Sequence, residues 1–206
     1  MSITLTTLWA TTRVHLADSQ CADAPFWADA DLTVYINEAI NTIWGLLPDD
    51  ALRLYEAVAN SNLTSGTATY ALPTDFFCEY TIIYNGIPCR KCRYSDKVIW
   101  EAISFIVSSA SQPVYYVNNT AVGLMPTPSA ASTSGLGVYY LKVPDALAAG
   151  ANTIDLDPVY EQIIAKLAAG RALSIKASVS EGKVLIDSTL EDLKLVINKD
   201  KKEETE

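Results

Sequence analysis

Cys89 and Cys92 carry the two-residue gap that lets a pair of thiolates hold one zinc ion or close a redox disulfide. A structural zinc needs four ligands, and the chain offers only Cys21, Cys78 and its single histidine, His15, from scattered positions. A thioredoxin-like pair belongs at a helix start after a strand, whereas this pair falls on the returning arm of an expected hairpin. Both thiols therefore read as small, half-buried side chains, and no metal or cofactor is expected. His15 could serve Cys21 or a serine as a base, yet only Asp18 is near enough in sequence to orient it. Asp49, Asp50, Asp155 and Asp157 stand where helices and turns begin, and capping accounts for them. The sequence holds no glycine-rich phosphate loop, nucleophile elbow or paired-histidine zinc motif, and nothing singles out an acid pair for glycoside cleavage. These residues do not point to an enzyme.

Two tyrosine pairs point instead to contact surfaces. Adjacent side chains of a strand face opposite ways, so Tyr115-Tyr116 and Tyr139-Tyr140 would each turn one ring outward, as a protein contact or a sugar platform. The alternative is that both rings of a pair cover a small twisted sheet. A second candidate surface is a helix starting near Lys183, whose Leu190, Leu193, Val196 and Ile197 could anchor in a groove of another protein. The same stripe could equally pack on residues 32–43 of its own chain. Beyond it, Lys194, Lys199, Lys201 and Lys202 interleave with Glu203, Glu204 and Glu206, which is no basic arm for DNA.

The elements that must position these groups follow from composition and period. The 206 residues are 50% hydrophobic and only 19% charged, with 11 Tyr and 4 Trp, enough to bury a substantial core. The formal charge of -9, from 24 acidic and 15 basic side chains, argues against gripping a phosphate backbone, though not against DNA sliding past. No signal peptide or membrane span is apparent, and the cysteines are expected to be reduced. Residues 4–17 place Leu5, Leu8, Trp9 and Leu16 on one helical stripe. Asp31 is placed to cap a second helix carrying Leu32, Tyr35, Ile36, Ala39, Ile40 and Ile43, with Phe26 and Trp27 folded back as a lid.

From about residue 54 the period becomes alternating. Strands are expected over 54–60, 68–71 and 80–84, and Asn85-Gly86 is a strong hairpin signal with residues 87–94 as the partner strand. A short helix over 96–107 precedes strands at 114–117, 123–125 and 137–143, and residues 126–135 read as an exposed loop. Helical signals return at Asp157-Pro158 and from Lys183, with residues 198–206 frayed. The expected fold class is α+β, with amino- and carboxy-terminal helices forming a bundle around a β-rich insertion of short antiparallel strands. The expected division is 1–53, 54–145, 146–198 and a charged tail at 199–206.

Taken in order, several runs resemble the head-to-tail connector, or adaptor, proteins of tailed bacteriophages. They are Trp27-Ala28-Asp29-Ala30-Asp31-Leu32, Tyr35-Ile36-Asn37-Glu38-Ala39, Thr69-Tyr70-Ala71-Leu72-Pro73-Thr74-Asp75-Phe76 and Ile83-Tyr84-Asn85-Gly86. They continue in Gln112-Pro113-Val114-Tyr115-Tyr116, Leu124-Met125-Pro126-Thr127-Pro128, Val138-Tyr139-Tyr140 and Asp157-Pro158-Val159-Tyr160-Glu161. Residues 89–92 and the loop at 126–135 have no counterpart in that pattern. The resemblance implies a structural virion protein of the neck between capsid and tail, made in the bacterial cytoplasm. It also implies a ring, expected at twelve copies, that joins the portal to the tail proteins while DNA passes through without sequence-specific binding. Leu190, Leu193, Val196, Ile197, Lys199 and Lys201 are then candidates for the portal contact. Tyr115, Tyr116, Tyr139 and Tyr140 are candidates for contacts between subunits or with the tail. The competing readings are another neck, tail or baseplate ring and, from a different class, a carbohydrate-binding module.

Overall fold

The computed structural model describes residues 3–18, 26–102, 109–154 and 156–203. The chain is mixed α and β, its strand pairs among the described residues antiparallel except one, and it divides into two compact units. Unit 1 comprises Met1–Leu54 and Pro144–Glu206, and unit 2 is Tyr55–Val143.

Unit 1 is mainly helical. A short strand, β1 (Ile3–Thr4), pairs with β10 (Thr153–Ile154) and leads into α1 (Leu5–His15), whose amino end is capped by the Thr4 hydroxyl on the Thr7 N–H at 3.1 Å. Its buried face is Leu5, Leu8 and Thr12. The next helix, α2 (Asp29–Trp44), starts two residues before the expected cap. Asp31 thus lies in its first turn, where a carboxylate suits the helix dipole, and its side chain pairs with Lys176. The predicted apolar stripe of α2 is buried, from Leu32 and Ile36 to Ile40 and Ile43. Of the expected lid, Trp27 is buried while Phe26 is exposed. Arg13 fixes this entry by donating to the Trp27 carbonyl at 2.8 Å and to Asp29 at 2.6 Å, while Asp18 accepts from the Phe26 and Trp27 amides.

After a short helix, α3 (Asp49–Leu52), unit 1 resumes with α5 (Tyr160–Lys176) and α6 (Val179–Glu203). Asp157 accepts the Val159 N–H at 2.9 Å just ahead of α5. The small side chains Ala165, Ala168, Ala169 and Ala172 are buried on α5, and the α5–α6 approach is close enough to exclude a Cβ at Gly170 or Gly182. Arg171 and Lys176 of α5 pair with Glu38 and Asp31 of α2, and Lys166 pairs with Asp192 of α6. The last helix begins four residues before the expected Lys183, and residues 198–203, expected to fray, continue it. Asp155 and Cys21 lie outside the described residues, as do the side chains of Asp49 and Asp50.

Unit 2 is two four-stranded sheets. One has the order β2-β9-β4-β5, from β2 (Glu56–Leu63), β4 (Phe76–Tyr84), β5 (Ile87–Pro88) and β9 (Ser132–Lys142). The other runs β3-β8-β7-β6, from β3 (Thr69–Ala71), β6 (Arg90–Lys91), β7 (Val114–Asn118) and β8 (Ala121–Met125). Leu63, Ile82 and Leu136 from the first sheet pack with Tyr115, Val122 and Leu124 from the second in one core. The expected partner strand at 87–94 is overturned: only Ile87 and Pro88 pair back on β4. Past Pro88 the Cys89 N–H still donates to the Ile82 carbonyl at 2.8 Å, and the chain then crosses so that the Arg90 N–H donates to the Pro113 carbonyl at 2.9 Å and Arg90 and Lys91 pair in parallel with β7. The helix expected over 96–107 is a 3₁₀ turn, Tyr94–Asp96, followed by α4 (Lys97–Ala102); residues 103–108 lie outside the described residues. The expected loop at 126–135 is also shorter, because β9 already begins at Ser132 and Gly135 is buried.

Candidate functional site

The four tyrosines were candidates because a strand should turn one ring of each pair outward, and the first pair departs from that expectation. Tyr115 and Tyr116 do point to opposite faces of β7, yet both are buried. Tyr115 enters the core between the sheets, where its hydroxyl donates to Glu79 at 3.4 Å. Burial first and the Glu79 charge second hold its phenol above the ordinary range. On the other face Tyr116 lies over Gly123, whose missing side chain leaves the room the ring occupies. The turn after β6 covers it: the Tyr94 ring stands 5.4 Å from Tyr116, and the Lys97 ammonium 5.5 Å from its centroid. In the second pair Tyr140 is buried, donating to Asp75 at 3.0 Å and stacking on Phe76. Tyr139 is the member that reaches the surface.

Around Tyr139 the outer face of the β2-β9-β4 sheet forms a shallow cavity of about 470 Å³, lined also by Glu56, Val58, Tyr80 and Thr81. Val58 and Tyr80 are about half exposed there. This apolar surface is a contact candidate that strand alternation alone could signal, through Val58 opposite Tyr139 opposite Thr81 in the register.

On α6 the portal candidates separate. Leu193 is 1% exposed and committed to the protein's own core, which is the intramolecular alternative for that residue. Leu190, Val196 and Ile197 remain half-buried. Leu190, Ile197, Lys194 and Asn198 join Leu46 of the turn after α2 around a cavity of about 380 Å³. Leu46, 52% exposed, was not anticipated, since helical period carries no information about a loop residue. The side chains of Lys199 and Lys201 lie outside the described residues, although both positions belong to α6.

Among the described residues the chemistry candidates are not drawn together. Extended backbone sends Cys89 toward the inter-sheet core and Cys92 to the opposite face, beside Val114, Tyr116 and Met125. Burial pushes the Cys89 thiol up to about 12 and raises that of Cys92, with the Asp96 charge adding to the latter. Lys91 pairs with the Glu79 carboxylate, which is 7% exposed, so that acid is compensated. His15 meets Gln162 at 3.3 Å, while Asp18 is occupied with Arg13 and the Trp27 amide. Among the described residues no group of three or more His, Cys, Asp and Glu side chains could hold a metal ion.

With this geometry in view, a family comparison decides the class: the model described as SU10 adaptor protein matches residues 3–188. The chain belongs to this family. No curated protein matches it. The family is one of structural phage adaptors, not an enzyme class, so the adaptor works in the virion at the connection of head and tail. Portal and tail proteins are its partners in general terms. Among the described residues no helix of the adaptor is long and apolar enough to cross a membrane.

Proposed function

We propose that the protein assembles as a ring, of about twelve copies by resemblance to its family, between the portal and the tail, with DNA passing through the middle. The observation that carries this reading is the family match over residues 3–188, nearly the whole chain. In this reading the helices of unit 1 form the bundle and unit 2 is the β-rich insertion it carries. The protein is made in the host cytoplasm and recruited to the portal, and the finished ring serves DNA ejection. Attachment to the portal uses the apolar hollow at Leu46, Leu190 and Ile197, with Lys199 and Lys201 following along the partner's surface. Tyr139, with Val58 and Tyr80 beside it, serves a neighbouring subunit or a tail protein.

Charge supports passage over gripping. Unit 1 holds 19 acidic against 10 basic residues, whereas unit 2 holds five of each, so the entire net charge of -9 belongs to unit 1. An acid-rich ring surface repels phosphates over a Debye length of about 10 Å, and this favours a duplex that slides over one that sticks.

Mass photometry or negative-stain imaging of the purified protein, alone and mixed with the portal protein of the same phage, tests the proposal. Rings, or monomers that join portal rings, are the expected result. A monomer indifferent to the portal would overturn it.

A further inference from the structure

The neutral balance of unit 2 hides a concentrated positive edge. From Ile87 to the end of α4 at Ala102 the chain holds Arg90, Lys91, Arg93 and Lys97 against two acids, Asp96 and Glu101. Arg90 and Lys91 form β6, the edge strand of its sheet, and Arg93 follows in the exposed turn before α4. Beside these cations stand three exposed apolar side chains: Tyr94, Val98 and Ile99, the second of them 71% exposed. The edge is held in place from behind. Lys91 is tied to Glu79, and Tyr94 and Lys97 rest on the buried ring of Tyr116, so these groups are ordered before any partner arrives.

Unit 1 presents a matching surface. On α6 the packed side is Gly182, Ile186, Thr189 and Leu193, spaced four, three and four. The opposite side carries Val184, Asp187, Ser188, Glu191 and Leu195, all exposed and again at spacings of three and four. Val184 and Ser188 also line a hollow of about 410 Å³ with Ser180, Glu181 and Leu185. This stripe therefore alternates apolar seats with the acids Glu181, Asp187 and Glu191. Apolar area mixed with an excess of opposite charge on each surface is the pattern of two complementary faces.

We propose that the β6–α4 edge of one copy docks on the outward stripe of α6 in a second copy of this chain. Val98 and Ile99 enter the hollow at Val184, and Arg93 and its neighbouring cations face Glu181 and Glu191. The two faces differ, so the contact is head-to-tail and repeats from copy to copy around a ring. The proposal rests on the ring reading above and names the contact that builds the ring. It assigns the basic edge to protein and not to DNA because exposed aliphatic side chains interrupt the cations, and phosphates offer nothing for Val98 and Ile99 to bury against.

The test is a charge exchange, read by mass photometry and sedimentation of the full chain with and without portal rings. Arg93→Glu, and separately Glu181→Lys with Glu191→Lys, should each raise the protein concentration needed for assembly by about tenfold or more. Combining all three substitutions should restore assembly toward the original concentration, an outcome that misfolding cannot mimic. Val98→Asp should block assembly in both the original and the exchanged background. If the unaltered protein assembles and the charge variants assemble equally well, or lose only affinity for double-stranded DNA, this contact is wrong and the ring stands. If the unaltered protein never assembles, the ring reading fails and this contact with it.

Discussion

Cys89 and Cys92 leave one short extended stretch on opposite sides, so the two thiols do not face one another as a pair. Burial holds the Cys89 thiol protonated up to about 12, well above its ordinary 9.0, so little thiolate exists to react. Iodoacetamide at pH 8 should therefore leave Cys89 unmodified in the native protein and label it in urea, as peptide mass mapping can read; rapid native labelling would contradict the burial. The linkage has a definite sign. A group whose pKa rises on folding gives stability that is full below its unfolded value, so Cys89 should cost stability as pH climbs from about 9 to about 12. Urea midpoints over that interval should fall less steeply for Cys89→Ala. A second residue-scale claim concerns Gly182, where a Cβ would lie 2.2 Å from the Ser174 hydroxyl and 2.5 Å from the Gly170 carbonyl. Backbone cannot yield there as a long side chain could. Gly182→Ala should destabilise by about 1–3 kcal/mol. Gly45→Ala, where the nearest atom is 3.4 Å away, should be nearly silent in the same denaturation experiment.

Among the elements, the hairpin at Asn85-Gly86 illustrates both what local sequence determines and where it stops. Both turn residues take positive φ, 46° and 82°, as the dipeptide promises. Gly86→Val should cost about 1–2 kcal/mol through the left-handed backbone alone, since the position faces open space, and a urea titration of the purified variant would measure it. Just past the strand that follows, the reading fails, because Cys89 makes the last hydrogen bond back to β4 and residues 90–91 join the other sheet through contacts with a strand more than twenty residues away. Nothing local encodes that crossing. The α2 stripe was legible for the opposite reason: period alone decides which side of a 16-residue helix is buried, and Leu32 to Ile43 obey it. Its start was less so, because Asp29 and Asp31 are equally good first-turn acids and the contacts of Arg13 settle the matter. Tyr116 follows the same rule. Alternation placed it correctly on the face away from Tyr115, but only tertiary structure brings Tyr94 and Lys97 to cover it.

At the scale of the whole molecule, charge and termini bear on how the protein is used. All of the net -9 falls in the unit that also contains α6, whereas the cations of unit 2 concentrate near β6. A chain arranged this way should bind duplex DNA weakly at 150 mM salt, with a shallow salt slope, which fluorescence anisotropy can test; tight binding with a steep slope would contradict passage. The last segment makes a sharper case. Among the described side chains of α6, which end at Asn198, Leu193 is the last buried one, with Val196 and Ile197 half-buried beyond it and Asn198 exposed. A chain truncated after Ile197 keeps every described buried contact of α6, and its denaturation midpoint should shift by no more than about 0.5 kcal/mol in stability terms. If residues 198–206 reach the portal, the same truncation should abolish recruitment to portal rings in a co-sedimentation assay. Full recruitment by the truncated chain would remove this segment from the contact and leave the hollow at Leu46, Leu190 and Ile197 to carry it alone.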